Sequence, residues 1–315
     1  MKGIHIIATG RALPAKIMDN DEMSTFVETS DEWIQTRTGI KQRHVCKQES
    51  CASLAIEAAK KAIFKAIDIA SINTKDIGVI VVATTTPDYA FPSTACLVQK
   101  ALELPEEVMS FDISAACSGF LYGLDICRGL LMSSRKKYAL LIGSEQLSRI
   151  LNYEDRTSCI LFGDGAGAAI LELDDSLYYQ RSWSDGDDEC LTCKGSGFDN
   201  AHLQMQGNKV FKFAVKVIPE SIEQILEDSN LKMDDIDYFI CHQANIRIID
   251  HVRKKYPEYS DRFYINIDRY GNTSAASIPI VLDEMKEKGL LKTGMKVICV
   301  GFGAGFTWSC VLLTI

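Results

Sequence analysis

Strand-like and helix-like apolar runs recur in the same order in the two halves of this chain, and that repeat limits the fold more than any single motif does. In the first half Ile77 to Ala83 reads as a strand, and Val108 to Ile113 as a second. A run of small residues then turns the chain, and Gly119 to Leu131 has helical spacing of its apolar positions. Tyr138 to Gly143 and Cys159 to Leu173, the latter interrupted by its glycines, complete the set. In the second half the order returns as Tyr238 to Cys241, Phe263 to Ile267 with a helix from Ile278 to Lys288, Lys296 to Val300, and Thr307 to Leu313. The turn at Asn272 takes the place of the turn at Cys117. Two related α/β halves follow, 1–173 and 174–315, packed back to back with a site at their junction. Acidic and Gly-rich residues after Leu173 set the boundary there.

Composition narrows the function. A chain of 315 residues with 47% hydrophobic content can bury a large core. A net charge of −8 argues against nucleic acid or an anionic membrane as partner. Lys2 to Thr9 reads as a short strand rather than the apolar part of a leader, and no apolar stretch has the length of a bilayer span. Eleven cysteines, an odd number scattered through apolar runs, predict reduced thiols and a cytoplasmic location. Cys190 and Cys193 have CxxC spacing but no second pair nearby, so metal or redox chemistry is not expected there.

Three strand ends each present one polar side chain. Cys117 lies in Ser114-Ala115-Ala116-Cys117-Ser118-Gly119, at the start of a largely apolar helix. The helix dipole there predicts a lowered thiol pKa and a larger thiolate fraction. His242 lies in Cys241-His242-Gln243-Ala244-Asn245, and Asn272 in Tyr270-Gly271-Asn272-Thr273-Ser274. Sites in α/β folds form at strand ends, and a cysteine with a distant histidine is a nucleophile pattern. Taken singly, the histidine reads as structural and the asparagine as a turn residue. Together they point to covalent catalysis.

These segments resemble the β-ketoacyl-acyl-carrier-protein synthase III family of the thiolase superfamily. The resemblance also runs through Thr29-Ser30-Asp31-Glu32-Trp33-Ile34, Thr36-Arg37-Thr38-Gly39-Ile40, Phe162-Gly163-Asp164-Gly165-Ala166-Gly167 and Gly301-Phe302-Gly303-Ala304-Gly305-Phe306-Thr307-Trp308. It implies a thiolase-like five-layered αβαβα fold of two pseudo-repeated halves. It further implies that Cys117 attacks an acyl thioester, and that His242 and Asn272 stabilise the enolate left when a malonyl thioester loses CO2. The oxyanion donors would be the backbone N–H of Cys117 and that of Ala304, where the family often has glycine. Asp164 reads as a turn carboxylate holding backbone N–H groups, and the glycines around it lack the Lys-Ser/Thr that a phosphate loop needs. No metal cluster is present in the sequence pattern, and no permanently bound cofactor is implied.

The same resemblance assigns acyl-CoA as a substrate. Trp33 and Arg156 would sandwich its adenine, Arg37 would meet the phosphates, and Asn208, Ala244 and Asn245 would hold the pantetheine arm. Without the resemblance, Trp33 is a first-turn aromatic and Arg37 a solvated charge. Malonyl-acyl-carrier protein is acidic, so Lys209, Lys212, Lys216, Arg247, Arg253, Lys254 and Lys255 could receive it, with Arg247, Lys254 and Lys255 foremost. A solvated charged face is the alternative. Phe302 and Phe306 either wall the acyl pocket or pack in the core. Phe91 matches a family position that reaches into the partner subunit's acyl pocket, which implies a homodimer and a short primer such as acetyl. The acidic segment 183–202 departs from the family pattern and leaves chain length open.

The implied activity is decarboxylative condensation of an acyl-CoA primer with malonyl-carrier protein, the step that initiates fatty acid biosynthesis. One alternative is a same-triad enzyme of polyketide or quinolone type in secondary metabolism. Another is a non-catalytic scaffold, which would have no need of Cys117, His242 and Asn272 together. A biosynthetic thiolase would want a second cysteine near the C-terminal glycines, and an HMG-type synthase a glutamate motif beside the nucleophile, which the sequence does not display.

Overall fold

A strand such as Ile77–Ala83, buried at every residue, needs apolar cover on both faces. The computed structural model, which describes residues 2–195 and 201–315, supplies that cover with alternating layers. Val79 and Val81 face one side, packed with Phe120, Leu121 and Leu124. Ile80 and Val82 face the other, against Ala55, Ala58, Ala59 and Ala62 of the helix Cys51–Ala70. Alternation along the strand thus serves two cores at once.

The first sheet has five strands in the order Gly3–Ala12, Gly165–Asp174, Tyr138–Glu145, Ile77–Ala83, Met109–Ile113. The last three run parallel, and the other pairings are antiparallel. The second sheet runs Tyr178–Ser184, Thr307–Thr314, Lys296–Gly303, Tyr238–Cys241. Its last pair is parallel and the others antiparallel. A single parallel bridge between Phe239 and Phe263 stands where a fifth strand would lie. Strand for strand, the second sheet repeats the first.

Two helices, Gly119–Ser133 and Ser277–Glu287, lie between the sheets, with Leu124, Leu131, Val281 and Met285 in one core with residues of both. Cys51–Ala70 and Thr94–Ala101 cover the outer face of the first sheet. Gly207–Ser229 and Ile246–Lys255 cover the second, through Ala214, Ile218, Ile222 and Ile249. The layers are therefore αβαβα. The first sheet's chain ends at Asp174 and the second sheet's begins at Tyr178.

Two expected strands are shorter than their apolar runs. Phe263 makes its one bridge, and the chain then turns into a short helix, Ile267–Tyr270, because the Gln243 side chain accepts from the Asn266 N–H. The run from Cys159 pairs as a strand only from Gly165. Before that it bends to meet Asn272, whose N–H donates to the Leu161 carbonyl while the Gly163 N–H donates to the Asn272 carbonyl.

The turn that follows Asn272 lies almost on the first sheet. A Cβ on Gly143 would sit 2.2 Å from the Ala275 carbonyl oxygen. Gly143→Ala must therefore push the Ser274–Ala276 turn outward. The expected cost is about 1–3 kcal/mol by overpacking; thermal or urea denaturation of the variant beside wild type checks it.

Candidate functional site

Cys117 sits in a single 3-10 turn, Ala116–Ser118, directly before the helix that opens at Gly119. Ala116 holds a left-handed φ of 45°, an uncommon conformation for a residue with a side chain. Its neighbours pin the turn. The Ser118 hydroxyl lies 2.6 Å from Thr307 Oγ1 and donates to the Ala115 carbonyl. Thr307 Oγ1 is also within bonding distance of the Ala304 carbonyl, which ties the Gly303–Ala304 segment to the Cys117 turn. Gly303 has to be glycine, since a Cβ there would lie 2.6 Å from the Cys117 nitrogen.

His242 follows the strand Tyr238–Cys241, and its N–H donates to the Val300 carbonyl. Gln243 fixes this turn from inside: its N–H donates to Ser277 Oγ, and its side-chain amide donates to the carbonyls of Cys241 and Tyr264. Asn272 is fixed at three points. Its backbone pairs with Leu161 and Gly163, and its Oδ1 accepts from the Ser274 N–H at 2.9 Å. With Oδ1 engaged, the Nδ2 group is left as the free donor.

One cavity of about 430 Å³ joins all three residues. Its inner end is Cys117, His242, Asn272, Phe302 and Gly303, all buried. Leu161, Phe162, Val210 and Ile248 give it apolar walls, and Arg37, Arg156, Asn208 and Arg247 stand at the exposed end. The cavity is thus dry at one end and cationic at the other. That shape suits a long ligand with a neutral reactive head and an anionic tail.

Burial overrides the helix dipole at Cys117. The Cys117 thiol is pushed up to about 12 by desolvation, and not lowered as the dipole alone predicts. Desolvation also lowers His242 to about 3, so the imidazole is neutral at physiological pH. Among the described residues its buried Nδ1 has no hydrogen-bond partner. The resting pair is therefore thiol and imidazole, not thiolate and imidazolium.

Most of the expected binding residues line this cavity: Trp33, Arg37, Arg156, Asn208, Ala244 and Asn245. Asn245 also caps the helix Ile246–Lys255, its Oδ1 accepting from the Arg247 N–H. The Trp33–Arg156 sandwich is closed on itself. The Arg156 guanidinium lies 4.6 Å over the Trp33 ring and donates to the Glu28 carbonyl, so no third plane fits between them. Phe306 is not a pocket wall; it stacks on Phe213 at 4.1 Å, and Phe302 stands edge-on to His242 instead. Phe91 is 86% exposed and does not line its own chain's cavity. Ala304 is half-buried beside Gly303.

Among the cations expected to receive a carrier protein, Arg247 lies on the cavity rim over the Phe211 ring. Lys254 is exposed, whereas Lys255 pairs with Glu223 at 2.8 Å and Arg253 with Asp250. Lys209, Lys212 and Lys216 are exposed on the helix that borders the cavity. Asp164 is the expected structural carboxylate, accepting from the N–H groups of Cys46 and Ser148 and from the Ser148 hydroxyl. Cys190 and Cys193 are free thiols, and Leu191 between them reaches the cavity. Of the acidic segment 183–202, residues 196–200 lie outside the described residues. Among the described residues no group of three metal-ligating side chains occurs.

Sequence reasoning missed several supports. Arg43 is fully buried and donates to Asn20 Oδ1 and the Ile160 carbonyl beneath the Asn272 bracket, where burial lowers it to about 10. Nothing in the local pattern distinguishes it from a surface arginine. Ser274 and Glu145 were missed too, although the serine sits two residues from Asn272.

Two family profiles match the chain: 3-oxoacyl-[acyl-carrier-protein (ACP)] synthase III over residues 111–183, and 3-oxoacyl-[acyl-carrier-protein (ACP)] synthase III C terminal over 226–315. A Clostridium tetani protein named beta-ketoacyl-[acyl-carrier-protein] synthase III is 45% identical over 333 aligned residues, spanning 99% of this chain and 98% of the relative. The crystal structure of 3-oxoacyl-[acyl-carrier-protein] synthase III from Aquifex aeolicus superposes with a TM-score of 0.93 at 40% identity, covering 99% of this chain and all of that one. The priming β-ketosynthase of the R1128 polyketide pathway superposes at 0.90 with 28% identity, covering 100% of this chain and 96% of that one.

A thiol this deeply buried should react slowly at neutral pH. Iodoacetamide labelling of Cys117, followed by peptide mass mapping, is expected to climb steadily as pH rises to 10 and beyond. A plateau below pH 8 would mean a thiolate at rest.

Proposed function

The chain belongs to the β-ketoacyl-[acyl-carrier-protein] synthase III family, and from that premise we propose that Cys117, His242 and Asn272 are the catalytic residues of its condensing reaction. The reaction joins an acyl-CoA primer to malonyl-acyl-carrier protein with loss of CO2, giving 3-oxoacyl-carrier protein and starting fatty acid biosynthesis. The observation that carries the residue assignment is the shared cavity, with the three polar groups at its buried end and cations at its mouth. The greater identity to curated synthase III relatives than to the polyketide enzyme favours fatty acid over secondary metabolism.

The first half-reaction forms a bond between the Cys117 sulfur and the primer's carbonyl carbon as the thiol gives up its proton, and the bond to CoA breaks with the departing sulfur taking up one proton, so that CoA leaves as the thiol. The tetrahedral oxygen bears the charge, and the N–H groups of Cys117 and Ala304 are the donors that meet it. The second half-reaction begins with loss of CO2 from the malonyl thioester. The enolate oxygen is held by neutral His242 and the Nδ2 group of Asn272, and its carbon attacks the acyl-enzyme carbonyl, breaking the bond to Cys117, whose sulfur takes one proton from solvent and returns to the thiol. A neutral imidazole suits this role, because it donates a hydrogen bond without delivering a proton that would quench the carbanion. The apolar walls keep water from competing.

Binding follows the same axis. Trp33, Arg37 and Arg156 take the nucleotide, and Asn208, Ala244 and Asn245 the pantetheine arm. For the adenine to enter, Arg156 must leave the Trp33 face and its bond to Glu28. Arg247, Lys254 and Lys255 are the docking cations for the carrier protein, with Lys255 first released from Glu223. The exposed Phe91 ring completes the acyl pocket of a partner subunit in a homodimer and shortens the primer it accepts. Phe302, not Phe306, walls the pocket within the chain. The halves 1–173 and 174–315 contribute the nucleophile and the enolate donors respectively. We assign the enzyme to the cytoplasm, where CoA and carrier-protein thioesters meet; no helix among the described residues is long and apolar enough to cross a membrane.

Intact-mass spectrometry after mixing with acetyl-CoA tests the mechanism. Wild type should gain one acetyl group, and Cys117→Ala none. His242→Ala and Asn272→Ala should still acylate but lose about 10²–10³-fold in condensation, the range seen when one oxyanion donor is removed. Failure of all variants to acylate would remove the division of labour between the two half-reactions.

Arg156→Ala tests the nucleotide subsite. Loss of the cation–π partner should raise the KM for acyl-CoA about tenfold, near 1.4 kcal/mol, with kcat held. Steady-state kinetics over a range of acetyl-CoA concentrations reads this directly; an unchanged KM would move the adenine elsewhere.

A further inference from the structure

Glu145 is a fully buried acid that the steps above leave unused. It ends the strand Tyr138–Glu145, and its carboxylate accepts from the Thr85 N–H and hydroxyl, from the Thr86 hydroxyl at 2.5 Å, and from the Ser274 hydroxyl at 3.1 Å. Burial raises the carboxyl above its usual range, while these donors pull it back toward the anion. The first three partners belong to the same half of the chain as the acid. The serine belongs to the other half, in the turn that follows Asn272.

Ser274 carries this grip to the enolate donor. It holds a left-handed φ of 50°, a conformation that a residue with a side chain rarely keeps unless its surroundings fix it. The end of one strand supplies that fixing, through the Glu145 carboxylate on the serine hydroxyl and the close approach of Gly143 to the Ala275 carbonyl. The backbone N–H of Ser274 in turn donates to Asn272 Oδ1 at 2.9 Å. That bond decides which way the amide faces. Turned over, the amide would set Nδ2 against the Ser274 N–H, donor against donor, and would present Oδ1 to the cavity instead.

We propose that Glu145 is a positioning residue for the condensing half-reaction: it grips Ser274 so that the serine N–H keeps Asn272 Nδ2 turned toward the enolate. The proposal rests on the reading of Asn272 as an enolate donor. Glu145 does not line the cavity, so it acts on the chemistry only through the groups it holds. The chain of bonds runs from Glu145 through Ser274 to Asn272 and does not pass through the Cys117 sulfur, which leaves acylation to proceed.

The half-reactions are measured separately on wild type, Glu145→Gln, Ser274→Ala, Asn272→Ala and the double variant Glu145→Gln/Asn272→Ala. Acylation by acetyl-CoA is followed by intact mass against time, and condensation by the rate at which pre-acylated enzyme consumes malonyl-carrier protein. Glu145→Gln and Ser274→Ala should each condense about 10- to 100-fold more slowly, the scale of a slightly misplaced reacting group, and acylate within about threefold of wild type. In the double variant, Glu145→Gln should add less than about threefold to the loss from Asn272→Ala, because the amide it orients is gone. A merely distorted site would lose both half-reactions alike and multiply the losses in the double variant, and either result overturns the proposal. Condensation by Glu145→Gln within about threefold of wild type overturns it too. Should Glu145→Gln not fold, Ser274→Ala decides, and a wild-type condensation rate or equal loss of both steps there overturns the proposal. Wild-type condensation by Asn272→Ala would instead overturn the reading of Asn272, and the proposal with it, whatever the Glu145 variants do.

Discussion

The site depends on how closely two buried turns can approach the backbone around them. The turn after Asn272 rests on Gly143, and the Cys117 turn rests on Gly303; a methyl group at either glycine would fall well inside van der Waals contact. These approaches let two helices sit between two sheets while their first turns still meet each other. Interiors are packed near crystal density, so such contacts have little slack. The left-handed conformations of Ala116 and Ser274 are held in place by this surrounding structure rather than by local preference.

The two turns are versions of one another. Each follows a strand or a strand-like bridge, opens with a left-handed residue, makes one 3-10 turn and enters a central helix. In that register Ala116 corresponds to Ser274, and Cys117 to Ala275. One half places its reactive group within the turn; the other places Asn272 two residues ahead of the left-handed position and uses that position for the serine. A shared backbone device therefore holds two different chemistries opposite one another. His242 enters from a third strand end, at the second half's counterpart of Ile77–Ala83.

Electrostatically the site is defined by exclusion of water more than by charge. The thiol and the imidazole are both neutral because burial disfavours the ionised form of each, and at Cys117 it outweighs the helix dipole. The cations stand at the mouth, where solvent screens them and where a positive rim favours an anionic ligand. A neutral inner end and a positive rim divide reaction from capture along one axis.

The repeat of apolar runs, the positions of the parallel strands and the three polar strand ends were legible in the sequence, because periodicity and turn residues are local signals. The family resemblance singled out Trp33, Arg37, Arg156 and Asn208, which line the cavity, and the turn pattern gave Asp164 as a structural carboxylate. The lost strand at Phe263, the bend before Gly165, the closed Trp33–Arg156 stack and the place of Phe306 were not legible, since each is set by a partner far away in the chain. The ionisation of Cys117 was decided by tertiary structure alone. Its position at a helix start is written locally, but the desolvation that outweighs the dipole comes from residues of both halves closing over it. For the same reason the sequence marked the polar groups at Cys117, His242 and Asn272, while only the folded chain brought them to one end of one cavity, because buried polar groups take their meaning from neighbours that sequence distance does not reveal.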